Sequence, residues 1–218
     1  GSITSQVSAS PTAGFSVVTF SGASAGTVGH GLGIAPSMVI MKSSSTALGW
    51  YVYTSTIGAS GWLQLNTTAA AVTGNTAAFG GTAPTSTVWS FGAGLAGTGT
   101  YVAYCFSEVS GYSKFGSYVG NGSTDGTFVY LGFRPAFVMF KSTGANVWSI
   151  LDSSRDLSNV TDLSLQPSSS IAEETGKNID FLSNGFKLRQ TDGGWNGNGT
   201  TYIYMAFAEN PFKNSLAR

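Results

Sequence analysis

A glycine-rich loop near the end of the chain holds the residues best suited to bind a ligand. Residues 192–199 read DGGWNGNG and place Trp195 beside Asp192, Asn196 and Asn198. A ring flanked by carboxylate and amide groups can stack on a sugar face and hydrogen-bond to its hydroxyls, although a tryptophan can also fold back over the core. These four residues are therefore the candidate ligand-binding site, with Trp195 exposed if the loop is functional and buried if it is structural.

The chain has one histidine and one cysteine, so few side chains are available for nucleophilic catalysis or for a metal centre. His30 lies in a glycine-rich turn (TVGHGL) and aligns with Val129 in the second half of the chain, so a buried, hydrogen-bonded histidine is favoured. Cys105 lies in an apolar pattern and is expected to be a small buried hydrophobe. GASAG at 22–26 fits the string GxSxG, but no helical pattern follows it, as a nucleophile elbow requires. Because no His/Cys spacing typical of zinc is present either, we predict no catalytic residues, no metal and no cofactor.

One segment brings carboxylates close together. Residues 151–157 read LDSSRDL and contain Asp152, Arg155 and Asp156. Two facing carboxylates are what a glycosidase needs, but an arginine three residues from Asp152 favours a structural ion pair. The spacing also fits a calcium loop poorly. We therefore expect this cluster to stabilise the fold, and not to catalyse a reaction.

These residues are set in a chain that repeats its motifs in the same order at offsets of 98–101 residues. A repeat of this length is a whole structural unit. Residues present in both copies are expected to serve folding, which puts Trp50 and Trp148 in the core, and residues present in one copy are free to serve function. The matched motifs are Phe15 with Phe115, LGxxP at 32 and 131, Trp50 with Trp148, and YVAYCFSE at 101 with YIYMAFAE at 202.

Short apolar and aromatic runs separated by glycine-rich turns predict β-strands throughout. The continuous apolar runs at 38–41 and 137–140 are typical of strands buried on both faces. We predict an all-β fold of two tandem sandwich-like, jelly-roll-type repeats, either separate or as halves of one larger sandwich. The repeats span 14–109 and 114–213, after a lead-in of 1–13 in which Gly1 and Ser2 resemble an expression scar. Only 168–177 (SSSIAEETGK) suggests a helical turn, with Ser170 and Glu173 as a capping box.

Charge is scarce and unevenly placed. Charged residues make up 9% of the chain, the net charge is zero, and Lys42 is the only charged residue before Glu108. The absence of a basic cluster argues against nucleic-acid binding, and no apolar run approaches a membrane span. No signal peptide is visible at the start of the sequence. A first copy covered by small polar residues is expected to be extracellular, packed against neighbouring subunits, or both.

Several longer strings resemble a repeated module of bacteriophage tail-fibre and other tail-associated proteins, many from marine and cyanobacterial phages. The resemblance runs from residue 14 to about 213. In the first copy it is carried by HGLGIAP at 30–36 and YVAYCFSE at 101–108. In the second copy it is carried by KFGSYVGNGSTDG at 114–126, GFRPAFVM at 132–139, DFLSNGFK at 180–187 and YIYMAFAENPFK at 202–213.

This resemblance implies where the protein acts more than how it acts. It suggests a non-enzymatic receptor-binding module in the virion tail, outside the host cell, that attaches to a bacterial surface glycan or protein and contacts other tail proteins. A homotrimer is expected because phage fibres are commonly trimers. The alternative is a structural tail or decoration subunit that contacts only other virion proteins. A depolymerase is a distant third, since neither a β-helix repeat nor a convincing acid pair is present.

Overall fold

The computed structural model describes residues 1–95 and 99–211, with the backbone alone at Leu95. Residues 1–66 and 71–108 form one compact unit, and residues 67–70 belong with the chain from Val109 onward in the second. Apart from two short 3-10 turns at Pro11–Ala13 and Ala93–Leu95, the regular structure of the described residues is antiparallel β-sheet. The predicted all-β fold is confirmed.

The described residues of the first unit form nine strands in two sheets. The larger sheet has the order β1-β2-β9-β4-β5-β6-β7, and β3 pairs with β8 in a second, two-stranded sheet. Residues 1–13, expected to lead into the first repeat, include β1, which pairs with β2 along its whole length. The strands are β1 (Ser5–Ser10), β2 (Phe15–Gly22), β3 (Gly26–Gly29), β4 (Met38–Ser43), β5 (Trp50–Thr54), β6 (Gly61–Gln64), β7 (Val72–Thr73), β8 (Val88–Phe91) and β9 (Gly99–Phe106).

In the second unit, the part of the chain that the structure describes forms seven strands, also in two sheets. One has the order β10-β16-β12-β13 and the other the order β11-β15-β14. The order of the larger sheet matches the β2-β9-β4-β5 portion of the first unit; internal duplication itself stays a prediction. The strands are β10 (Ser113–Val119), β11 (Phe128–Tyr130), β12 (Pro135–Ser142), β13 (Ser149–Asp152), β14 (Ile179–Leu182), β15 (Gly185–Leu188) and β16 (Thr201–Ala208).

Each unit has its own sandwich core, because side chains from both of its sheets meet in one apolar cluster. In β2, buried residues alternate with more exposed ones, as expected for a strand that turns one face to the core. In β4, Met38 to Met41 are all buried, which confirms the expectation of burial on both faces for that run. Burial of this kind is the main favourable contribution to folding in a chain with so few charges.

The strand registers revise one detail of the motif alignment. Phe15 lies opposite Phe106, whereas Phe115 lies opposite Met205, so these two phenylalanines do not occupy equivalent places. Phe20 and Tyr118 are the residues in equivalent places, because each lies opposite the first tyrosine of the repeated motif, Tyr101 or Tyr202. Each of these two aromatic pairs is stacked inside its core. Phe20 stacks on Tyr101 at 5.4 Å between ring centroids, and Tyr118 stacks on Tyr202 at 4.8 Å.

The two tryptophans expected in the core differ in burial. Trp148 is 0% exposed, as predicted, but Trp50 is only half-buried, so its assignment to the core is wrong. Trp50 is the first residue of β5 and stacks on Tyr104, which is itself only partly buried. A shared motif position therefore does not guarantee shared burial.

The helical turn expected at 168–177 is also wrong. This segment holds no helix, and Glu174 instead forms a β-bridge with Ser164. The Glu173 carboxylate, expected to cap the turn, is used by Arg155 in an ion pair. A long-range contact has thus replaced the local capping interaction.

Candidate functional site

The loop at 192–199 is structural at its centre, because the ring of Trp195 lies in the core. It is 1% exposed and meets Phe140 edge-on at 4.6 Å between centroids. The backbone carbonyl of Trp195 accepts a hydrogen bond of 2.8 Å from Tyr118 Oη. The ring therefore has no face to offer a sugar, and the exposed arrangement required by a functional loop is not observed.

The three polar candidates of this loop do not converge on a common cleft. Asn196 is 0% exposed, and its side chain is occupied by hydrogen bonds to the loop at 121–127 and to Gln190. Asp192 is exposed and uses Oδ1 to accept a hydrogen bond from Gly194 N at 2.7 Å. Asn198 is exposed. The structure thus separates one buried amide from two solvent-facing side chains.

The predicted ion pair in the acidic cluster is confirmed. Arg155 Nε lies 2.6 Å from Asp152 Oδ2, and a second contact of Arg155 goes to Glu173. Asp156 accepts hydrogen bonds from the backbone N–H groups of Ser158 and Asp162, and these bonds lower the pKa of Asp156. Both aspartates are therefore engaged in holding the segment that follows β13.

His30 and Cys105 occupy the buried positions expected of them. His30 is 0% exposed; one ring nitrogen accepts a hydrogen bond from Leu32 N and the other donates to Thr85 O at 3.2 Å. Burial lowers the pKa of His30 and raises that of Cys105 to about 12. A neutral imidazole fits this arrangement, since one of its nitrogens donates while the other accepts. Among the described residues, no group of three or more His, Cys, Asp or Glu side chains gathers as a metal site.

Lys141 is an unexpected buried cation in β12. Its side chain is 0% exposed, and Nζ donates to the backbone carbonyls of Ser142, Gly144 and Asn146 at 3.4, 3.0 and 2.8 Å. Burial lowers the pKa of Lys141 from 10.5 to about 8. Because removal from water penalises the charged form, the folded chain holds this proton less tightly than the unfolded chain does.

This pKa difference predicts a stability that rises with pH. Between about pH 8 and 10.5 the unfolded state binds more protons at Lys141 than the folded state, so unfolding becomes less favourable as pH increases. Lys141 alone is expected to contribute a gain of about 1–2 kcal/mol from pH 8 to 9.5, at the limiting slope of about 1.4 kcal/mol per pH unit. The raised pKa of Cys105 acts in the opposite direction over the same range, and it does so equally in a Lys141 variant. Urea denaturation at both pH values therefore compares the chain with Lys141→Met, which lacks the Lys141 contribution. The same change with pH in both proteins would contradict this prediction.

A different surface of the second unit has the properties of a ligand site. On the sheet β11-β15-β14, Phe128 and Tyr130 point away from the core because they flank buried Val129 in β11. Phe128 is 42% exposed and Tyr130 is 60% exposed. We call this surface the aromatic face; it consists of Phe128 and Tyr130 on β11, Gly185 and Lys187 on β15, and Asp180 on β14.

Cross-strand pairing fixes the layout of the aromatic face. Phe128 lies opposite Lys187, and Lys187 lies opposite Asp180, so a ring, a cation and an acid form one row across three strands. Tyr130 lies opposite Gly185 in the next row. A Cβ at Gly185 would come within 2.0 Å of the Val129 carbonyl oxygen and 3.1 Å of Phe128 Cε2, so glycine is required here mainly by the close approach of the β11 backbone.

Charged side chains border the rings. Lys114 Nζ sits 5.2 Å from the ring centroid of Tyr130 and donates to its carbonyl at 3.1 Å. On the other side, Asp125 lies 2.6 Å from Lys187 Nζ and 3.4 Å from Arg189 Nη1. Exposed rings beside fixed charges can stack on a ligand and orient it by hydrogen bonds.

The corresponding surface of the first unit has none of these features. Its two-stranded sheet turns Thr27 and Gly29 of β3 outward beside buried Val28, opposite Ser90 and Val88 of β8. The edge of β3 is also occupied, because Ile3 forms a bridge to Val28 and donates its N–H to Thr27 O at 2.9 Å. Rings and charges therefore occur on this surface in the second unit alone.

A family model described as a domain of unknown function, DUF7483, matches residues 1–211. The chain belongs to the DUF7483 family. Comparison with curated proteins and with solved structures gave no match. Within the described residues, no helix is long and apolar enough to cross a membrane.

The aromatic face was missed in the sequence because Phe128-Val129-Tyr130 reads as an ordinary apolar strand. A usable signal was nonetheless present. The motif alignment pairs Val129 with His30, whereas the buried valine of the strand β3 is Val28. Val28 is flanked by Thr27 and Gly29, which are poor core residues. Comparison of these two triplets would have indicated that the flanking positions face solvent, and that the second half alone fills them with rings.

Proposed function

We propose that the chain is a host-attachment module of a phage tail fibre, and that it binds a bacterial surface glycan through the aromatic face. The observation that carries the binding proposal is the pair of outward rings, Phe128 and Tyr130, bordered by Lys114 and Lys187. The tail setting is supported by the resemblance of the long motifs to tail-associated phage proteins. No catalytic step is included in this proposal.

The proposed ligand class follows from the shape of the aromatic face. Two rings at alternate positions of one strand lie on the same side of the sheet, about 7 Å apart along it, which suits successive sugars of an extended chain. The face is flat and solvent-facing, so contacts with a single chain are expected to be weak. Three subunits in a fibre would raise the overall strength of attachment through multivalency.

A polysaccharide array tests the proposal with one matched pair of variants. Purified protein is applied to arrayed bacterial surface polysaccharides, and we expect Tyr130→Ala to lose about tenfold in affinity for those that bind, equivalent to about 1.4 kcal/mol. Ile34→Ala is the control because Ile34, in the first unit, is 59% exposed, nearly as much as Tyr130. Both variants should keep the melting temperature. Equal losses in both variants, or no binding to any polysaccharide, would contradict glycan attachment.

One observation favours the second candidate, a structural tail subunit. Strand β1 lies at the edge of its sheet, five of its six residues are exposed, and none is charged. Edge strands are usually protected from strand pairing by charges or prolines, so β1 is suited to pair with another virion chain. The same array separates the two functions, because a purely structural subunit binds no polysaccharide.

A further inference from the structure

A pair of cations beside the aromatic face is covered by one exposed carboxylate. The Asp125 side chain is 80% exposed and lies 2.6 Å from Lys187 Nζ and 3.4 Å from Arg189 Nη1. The hydrogen bond and the charge of Lys187 lower the pKa of Asp125, so the group is ionised at neutral pH. A carboxylate is thus already bound at the position where these two cations meet.

One of the two cations is held in place independently of Asp125. Arg189 Nε donates to Asp180 Oδ2 at 2.5 Å, and Asp180 is only 7% exposed. Lys187 lies between Phe128 and Asp180 in the row across the sheet, and its Nζ contacts Asp125. Removing Asp125 would therefore leave a positioned guanidinium and, beside it, an ammonium group free to bind another carboxylate.

Asp125 itself is attached to a loop that does not depend on its carboxylate. Its backbone N–H donates to Ser123 Oγ at 3.1 Å, and its carbonyl accepts a hydrogen bond from Asn121 Nδ2 at 3.0 Å. Ion pairs this exposed to water contribute little to stability. The side chain can consequently rotate away while the loop keeps its conformation.

We propose that the aromatic face selects a glycan that carries carboxylate groups, and that a ligand carboxylate takes the place of Asp125 between Lys187 and Arg189. Phe128 lies directly opposite Lys187, so a sugar stacked on this ring presents its substituents to the cations. The inference rests on the proposed glycan-binding function and names its ligand as a polysaccharide containing uronic acid. Asp125 acts as an internal competitor for the same site.

The test compares a uronic-acid-rich bacterial capsular polysaccharide with the same polymer after chemical reduction of its carboxyl groups. By titration calorimetry, we expect the acidic form to bind at least tenfold tighter than the reduced form, and this preference to shrink at high salt. Asp125→Asn should tighten binding of the acidic form twofold to fivefold, because it removes the competing charge. Lys187→Gln should weaken it about tenfold, while Lys42→Gln in the first unit should leave it unchanged.

The outcomes separate this inference from the proposed function. If the acidic and reduced polysaccharides bind equally, and Tyr130→Ala still weakens the binding of both, the carboxylate preference is wrong and glycan attachment stands. If neither form binds and the array gives no other ligand, both are wrong. The inference would also be overturned if Asp125→Asn weakened binding of the acidic polysaccharide without changing the melting temperature. In that case Asp125 would contribute to binding and would not compete with the ligand.

Discussion

Trp195→Ala is expected to lower the free energy of unfolding by about 3–5 kcal/mol, the usual cost of truncating a fully buried large aromatic side chain. The ring is 1% exposed, and Phe140 meets it edge-on at 4.6 Å. The substitution therefore removes buried apolar surface and leaves a cavity between the loop and β12. Urea denaturation followed by far-UV circular dichroism measures the loss.

Trp50→Ala is the matched control for this prediction. Trp50 is half-buried and stacks on Tyr104 at 6.4 Å, so its truncation should cost distinctly less. A Trp195→Ala variant that keeps its stability but no longer binds polysaccharide would contradict the buried position of the ring. Such a result would restore the loop at 192–199 as the ligand site.

The fold was predictable because its signals are local. The continuous apolar run at 38–41 predicts a strand buried on both faces, and Met38 to Met41 of β4 are all buried. The turns are similarly local, since Gly33 and Gly132 both adopt positive φ, which glycine allows without strain. Patterns of this kind need no knowledge of which strands pair.

The site was less predictable because burial depends on distant partners. Trp195 lies among glycine and amide residues, and its neighbours in the sequence give no sign of Phe140, which is 55 positions earlier in the chain. Tyr130 presents the opposite case, since an apolar triplet indicates a core strand until its pairing with Gly185 is known. The sequence therefore left the burial of Trp195 open and gave no indication of the exposed position of Tyr130.

The two loops that meet in the second unit connect its core to the proposed ligand site. Trp195 fixes one loop to the core, and the next residue, Asn196, binds the loop that carries Asp125. Asn196 is therefore expected to influence the proposed ligand site through the position of this loop, without itself contacting the ligand. Loss of this connection should be visible in stability and in the local dynamics of the loop.

Asn196→Ala is expected to cost about 1–3 kcal/mol of stability, because three partly buried backbone groups lose their partner and an unsatisfied polar group costs about that much when it is shielded from water. The side chain is 0% exposed. Its Oδ1 accepts a hydrogen bond from Asn121 N at 3.0 Å, and its Nδ2 donates to the carbonyls of Ser123 and Gln190 at 2.8 and 2.9 Å. Alanine replaces none of these bonds.

Asn198→Ala provides the control, since Asn198 is exposed two residues away in the same loop and its truncation should change stability by less than about 0.5 kcal/mol. Hydrogen exchange should show faster exchange at residues 121–126 in Asn196→Ala and unchanged rates there in Asn198→Ala. Asn196→Ala should also strengthen binding of the acidic polysaccharide, as Asp125→Asn does, because the loop would no longer hold the competing Asp125 carboxylate beside Lys187 and Arg189. Equal stability of the two variants would show that the buried amide does not support this loop.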